Sequence, residues 1–313
     1  MKKNRSLLII AISILFAGCP ASKSSTDAVQ LKLNLEKGKT YTYGMKTHMD
    51  MNMEMMGQKM NTGFDMDFRY LIVLEKVDSQ GNNIIKSTIG DLKVKAEVMG
   101  MSMGYDSKEK VDTSHQDAMS ASFRKMFGGM VGKSFKVTLA PNGEVKEVEG
   151  VNELVTSMAD AMPGSDEEKT KMKDQLSQSF NEQLIKQSYG QMFNLYPDKP
   201  VKVGDTWNKE VEFAMKGMNN KQEITYKVKE ITADNVVLDL KGDIKTSGST
   251  PSDSTTKAPA MSMTGTESGT MTLDRTSGMT TSGDIDMILK GMVEVQGKKM
   301  PMDMKMKVTI ANK

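Results

Sequence analysis

From Lys39 the chain alternates. Tyr41, Tyr43, Met45, Met49, Met51, Met53 and Met55 take odd positions, while Lys46, His48, Asp50, Asn52 and Glu54 take even ones. Period two over such a length predicts a strand with one buried face. A turn at Met56-Gly57-Gln58-Lys59 leads to a return strand with Met60, Phe64, Met66, Phe68, Tyr70, Ile72 and Leu74 on even positions and Asp65, Asp67 and Arg69 opposite. The pair reads as a long hairpin, and strands of this length twist and bulge rather than stay flat. Ser79 to Asn83 turns into a third strand through Ile84, Ile89, Val94 and Val98, with a bulge expected at Gly90-Asp91.

The period then changes. Met119, Phe123, Met126, Phe127 and Met130 fall at helical spacing, with a start at Ser114 and Asp117 and a stop at Gly128-Gly129. A hairpin follows, Phe135 to Leu139 and Glu144 to Val148 around Pro141-Asn142-Gly143. Leu154, Met158 and Met162 predict a helix stopped by Pro163-Gly164. Ser165 and Glu168 form a capping box for a longer one, with Met172, Leu176, Phe180 and Leu184 along one face and Tyr189, Met192 and Phe193 continuing toward Pro197.

At Pro197 to Trp207 the β-pattern restarts. Gly204-Asp205-Thr206-Trp207 opens a strand much as Gly38-Lys39-Thr40-Tyr41 does. Trp207, Val211, Phe213 and Met215 alternate, and Ile224, Tyr226 and Val228 return. Met300, Met302, Met304, Met306, Val308 and Ile310 share one face of the last strand. The expected fold is mainly antiparallel β (α+β): a long curved sheet or two half-barrels, internally duplicated, with helices near 114–128, 152–162 and 165–195 on the apolar face. The expected divisions are 1–18, 19–29, a first β-rich half at 30–150, a helical connector at 151–196 and a second β-rich half at 197–313. Within the last, 246–267 is rich in Ser, Thr, Gly and Pro and reads as an exposed loop.

Composition adds one anomaly and removes one class of partner. The 313 residues include 31 methionines but only 5% aromatics. The formal charge of +2 falls to −1 if Lys2, Lys3 and Arg5 are removed with a leader, so no basic face is expected to hold nucleic acid. Those three cations precede an apolar run from Leu7 to Ala17, too short to span a bilayer but suited to a signal peptide at 1–18. The run ends in Leu15-Phe16-Ala17-Gly18-Cys19, which resembles the lipobox of bacterial lipoproteins, with Phe16 where Leu is commonest. The resemblance implies cleavage before Cys19, acylation of that cysteine, and a membrane partner through the lipid. Cys19 is the only cysteine, so no internal disulfide can form. Residues 19–29 read as a flexible tether. With neither an inner-membrane retention Asp nor an acidic export cluster after Cys19, the expected location is the outer membrane, facing the periplasm.

Candidate chemistry is thin. His48 and His115 sit in no metal or triad spacing, and no phosphate loop, nucleophile elbow or Cys–His pair occurs, so neither an enzyme nor a cofactor is expected. The methionines admit three readings. Core packing accounts for all of them. A Met-lined cavity for a lipid or other apolar ligand, with Met49, Met51, Met53, Met66, Phe68, Met302, Met304 and Met306 as lining, uses the adaptability of thioethers. A Cu(I) site at Met99, Met101 and Met103 uses their softness. Asp253-Ser254-Thr255 is similar to the O-glycosylation sequon of Bacteroidota, which would make Ser254 a modified residue.

The lipobox, the helix-bearing middle and the Pro-x-x-Pro-Val-Lys-Val-Gly-Asp-Thr-Trp pattern at Pro197 to Trp207 together resemble a group of uncharacterised lipoproteins, chiefly of Bacteroidota. That resemblance implies a location and a fold without an activity. Long strands enclosing helices also look like the lipoprotein-carrier fold, an unclosed β-barrel whose concave side takes acyl chains.

Overall fold

A computed structural model describes residues 27–55, 58–98, 101–109, 118–215, 218–249, 260–295 and 298–312. The first β-rich stretch holds β1 (Thr40–Met55), β2 (Gln58–Val77), β3 (Asn83–Val98), β4 (Met101–Asp106), α1 (Ala118–Gly128), β5 (Ser134–Leu139) and β6 (Val145–Glu149). Three helices follow: α2 (Val151–Ala161), α3 (Asp166–Ser179) and α4 (Glu182–Phe193). The second stretch is all strand: β7 (Thr206–Met215), β8 (Met218–Ile231), β9 (Asn235–Ser249), β10 (Ala260–Asp274), β11 (Thr280–Val295) and β12 (Lys298–Ala311).

The strands form one antiparallel sheet ordered β6-β5-β3-β2-β1-β12-β11-β10-β9-β8-β7, with β4 beside β3. It is unclosed: β6 and β7 are its two ends and do not pair. The segment between those two edges, which carries α2, α3 and α4, must therefore travel from one side of the sheet to the other. It does so over the apolar face. There α4 touches both β6 and β7, the Lys186 ammonium donates to Lys146 O, and the Trp207 indole donates to Leu195 O at 2.8 Å.

Register fixes which side chains share the inner face. Across β2, β1, β12 and β11 the opposed residues are Met66, Thr47, Val308 and Ile285, and one row on, Phe64, Met49, Met306 and Met287. The even positions of β1 point outward, where Lys46 pairs with Asp67 and His48 with Asp65. The bulge lies where Gly90-Asp91 predicts it. Phe68 pairs with Leu92 and Tyr70 with Ile89, so two residues oppose Arg69, whose guanidinium takes the Asp91 carboxylate at 2.7 Å.

Three expectations change. The helix expected at 165–195 is two helices, because Asn181 accepts from Leu184 N at 3.0 Å and so caps a new start after Phe180. Within 246–267, residues 246–249 and 260–267 are strand rather than loop. β9 runs to Ser249 and β10 starts at Ala260, and Thr246, Met263 and Glu267 are buried; residues 250–259 lie outside the described residues. Polar Ser and Thr on the outer face of a strand gave a loop-like composition to an ordinary period-two segment. Finally, the last residue of the tether expected at 19–29 is packed rather than free, and so is the chain from there to β1. Val29, Leu31, Leu33 and Leu35 are buried, and Val29 forms an isolated bridge with Val201. Leu33 N donates to Pro141 O and Asn34 N to Ser277 O, so this strap laces across the turns at one end of the sheet. Gly278 belongs to that contact: a Cβ there would sit 2.2 Å from Lys32 O, and its φ of 76° is left-handed backbone.

Candidate ligand cavity

The site begins with α4. Ile185, Tyr189 and Phe193, at four-residue spacing, form its buried face. The Tyr189 ring packs 5.6 Å from Phe135 of β5 and 5.8 Å from Tyr70 of β2, and its hydroxyl hydrogen-bonds with Ser87 of β3. Phe193 lies 6.5 Å from Tyr43 of β1. These rings hold the helix over the sheet. Removal from water pushes the Tyr70 phenol up to about 12, and the Tyr189 and Tyr43 phenols up as well, so all three stay neutral.

Between the helix and the sheet a cavity of about 380 Å³ remains. Leu184, Ser188 and Met192 line it from α4; Met66, Phe68 and Met306 line it from the sheet. Its wall is mostly apolar, with Thr47, Gln191, Gln222, Thr280 and Glu267 among the polar members. Among the described residues no Lys, Arg or His borders it.

Glu267 is the exception in this wall. It occupies an inward position of β10, opposite Met287 on β11 and Gly242 on β9. It is 5% exposed, and its Oε1 has no hydrogen-bond partner among the described residues. Burial alone pushes its carboxyl from 4.5 up to about 7. The missing side chain at residue 242 makes room: a Cβ there would lie 2.7 Å from Glu267 Oε1 and 2.9 Å from Glu223 O. The carboxyl therefore rests over the backbone of β9. Reading 246–267 as a loop hid this residue. The signal that reveals it is the alternation Met261, Met263, Gly265, Glu267, Gly269, Met271, Leu273 against Ser262, Thr264, Thr266, Ser268, Thr270 and Thr272.

The structure divides the expected lining residues. Met66, Phe68 and Met306 border the cavity. Met49 is half-buried in the row between Phe64 and Met306. Met51, Met53, Met302 and Met304 belong to a separate cluster with Ile244, Met263 and Leu289, farther along the strands. Of the copper candidates, Met101 is exposed on β4 and Met103 pairs with Ala96, while Met99 lies outside the described residues, as do Cys19, His115 and Ser254. His48 is on the outer face, its imidazole pKa raised mainly by the hydrogen bond to Asp65 at 2.6 Å. Among the described residues no three His, Cys, Asp or Glu side chains gather where a metal ion could sit, and no helix is long and apolar enough to cross a membrane.

Comparison with known proteins places the chain without assigning an activity. No curated protein matches it. Among solved structures it is similar to one of lipid-protein interactions in lipovitellin, at 8% identity and a TM-score of 0.48, over 90% of this chain and 25% of that one. The chain thus spans a quarter of the lipovitellin chain. It is also similar to a variant of the Rh. blastica porin (7% identity, TM-score 0.21, 87% of this chain and 100% of that one). A third likeness is to Pseudomonas aeruginosa OccK5 (6%, TM-score 0.20, 88% and 98%). The model of a family of unknown function matches residues 80–280, from the turn before β3 to the start of β11, and so takes in α4, Gly242 and Glu267. On that match, which covers well over half of its residues, the chain belongs to the family of unknown function DUF6263.

Proposed function

We propose that this DUF6263 member is a non-enzymatic lipoprotein of the cell envelope that binds an apolar ligand, such as a lipid acyl chain, between α4 and the sheet. The observation that carries this reading is the cavity itself. It has about 380 Å³ of unfilled volume inside a mostly apolar wall, within the roughly 300–1,000 Å³ of small-molecule sites. Thioethers at Met45, Met66, Met192, Met287 and Met306 border it. Flexible, polarizable side chains of this kind re-pack around chains of differing shape. The lipobox-like Leu15 to Cys19 supports anchoring by an acylated cysteine, with the body on the periplasmic side of the outer membrane. Binding of this kind needs no catalytic group.

Native mass spectrometry of the protein purified from cells with Cys19→Ser tests the reading, followed by solvent extraction of whatever is carried. A lipid at defined stoichiometry is the expected result. A clean apo mass that takes up neither added fatty alcohol, fatty acid, alkylamine nor phospholipid would overturn it and leave a packed structural lipoprotein.

A further inference from the structure

A cavity for a plain hydrocarbon has no need of a carboxyl in its wall. Glu267 is buried, borders the cavity, and carries an oxygen that no protein donor reaches among the described residues. An unmade hydrogen bond of this kind is costly, and a ligand that makes it recovers the cost. The wall also lacks the opposite charge. With no Lys, Arg or His along it among the described residues, a fatty-acid anion would enter without a cation and beside a second acid.

We propose that Glu267 is the acceptor for the ligand's polar end, and that the cavity takes an apolar chain ending in a hydrogen-bond donor, an amine above all, in preference to one ending in a carboxylate. The inference rests on the cavity being a binding site. The placement supports it in three ways. Across Gly242 from Glu267 the opposed residue of β8 is Ile224, and Gln222 and Tyr226, two positions to either side of it, also line the cavity, so polar groups gather at one side of it. Met66, Phe68 and Met192 supply the apolar remainder. Finally, with Gly242 opposite, the carboxyl meets no side chain on β9 that could claim it. An ammonium brought to Oε1 forms a charge-assisted hydrogen bond, roughly twice as strong as a neutral one.

The test is displacement of Nile red from the Cys19→Ser protein by dodecylamine, dodecanol and dodecanoate at about pH 8, each below its aggregation threshold. Dodecylamine is expected to compete at least about tenfold better than dodecanoate, with dodecanol between them. Glu267→Gln should erase most of the amine's advantage over both dodecanol and dodecanoate. Glu267→Asp, which withdraws the carboxyl by one methylene, should reduce it and serves if the glutamine variant fails to fold. Dodecanoate binding as well as the amine, or an amine preference that survives Glu267→Gln, would overturn the assignment while leaving the cavity intact. Failure of all three to displace the dye would remove this inference together with the cavity reading.

Discussion

The two ends of the sheet are built differently. At the end closed by the strap and α4, the inner face is Ile, Leu, Val and Tyr: Ile72, Leu74, Ile85, Val228, Leu238 and Leu273 are all buried, and Tyr189 and Phe193 press on them. At the far end, toward the β1–β2 and β11–β12 hairpins, the same face is largely methionine. Met51, Met53, Met261 and Met304 are only half-buried around Met263 and Met302. Branched and aromatic side chains have few rotamers and fix a single packing, whereas methionine fills gaps without specifying one. The comparison teaches that one continuous sheet has a rigid end that holds the fold and an adaptable end that leads away from it. The cavity lies between them.

The largest expected effect tests the rigid end. Tyr189→Ala removes a fully buried ring that touches Phe135, Tyr70 and Phe193, together with the Ser87 hydrogen bond. It should cost about 3–5 kcal/mol in urea unfolding. A loss under about 1 kcal/mol would mean that α4 does not hold the fold. Next is the carboxyl between the ends. Glu267 binds its proton more tightly folded than unfolded, with a folded value of about 7 against an ordinary 4.5. Stability from this group is thus fully present below about pH 4.5 and is lost as pH rises through about 7, by on the order of 3 kcal/mol. The titratable groups that share the cavity wall are Tyr43, Tyr70 and Tyr226, which stay protonated across that window. Glu267→Gln should therefore flatten the wild-type slope between pH 5 and 8 and be the more stable protein at pH 8. Parallel slopes for the two would sink this account.

At the adaptable end, Met51→Leu and Met304→Leu should each change stability by less than about 1.5 kcal/mol, since volume is conserved and the site is half-exposed. A larger loss would show that the methionines specify their packing after all, and would blur the contrast between the ends. Smallest of all is the outer face. Lys46→Ala breaks an exposed pair with Asp67 and should leave the urea midpoint unmoved within error.

Most of the strand plan was legible because period two survives wherever inner residues are large. Tyr41 to Met55 and Met60 to Leu74 announce their faces, and Gly90-Asp91 marks its own bulge. The signal failed where the inner residue has no side chain. In β10 the inner positions include Gly265 and Gly269, and a Cβ at either would come within 2.1 Å of Ile288 O or 2.2 Å of Asp284 O. Glycine is therefore what the close approach of β11 permits, and it erased the hydrophobic half of the alternation. Glu267, set between those two glycines, was lost with it. The break in the long helix was equally local, a single capping Asn181 inside a continuous apolar pattern. The cavity was legible only in part: Met66, Phe68 and Met306 were among its expected lining, but its place depends on where a helix from the middle of the chain crosses eight strands contributed by both halves.

The pairing of β1 with β12 has a consequence for synthesis. Met45 meets Ile310 and Met53 meets Met302, so the first strand and the last in chain order share the middle of the sheet. As the chain emerges, β1 has β2 on one side and nothing on the other until every remaining strand has been made. The ladder closes only at the end, across the largest sequence separation in the molecule, which makes this a slow, late step. A chain stopped before β12 would leave β1, with its methionine-rich face, and β11 both as long open edges, and such edges pair with whatever strand they meet.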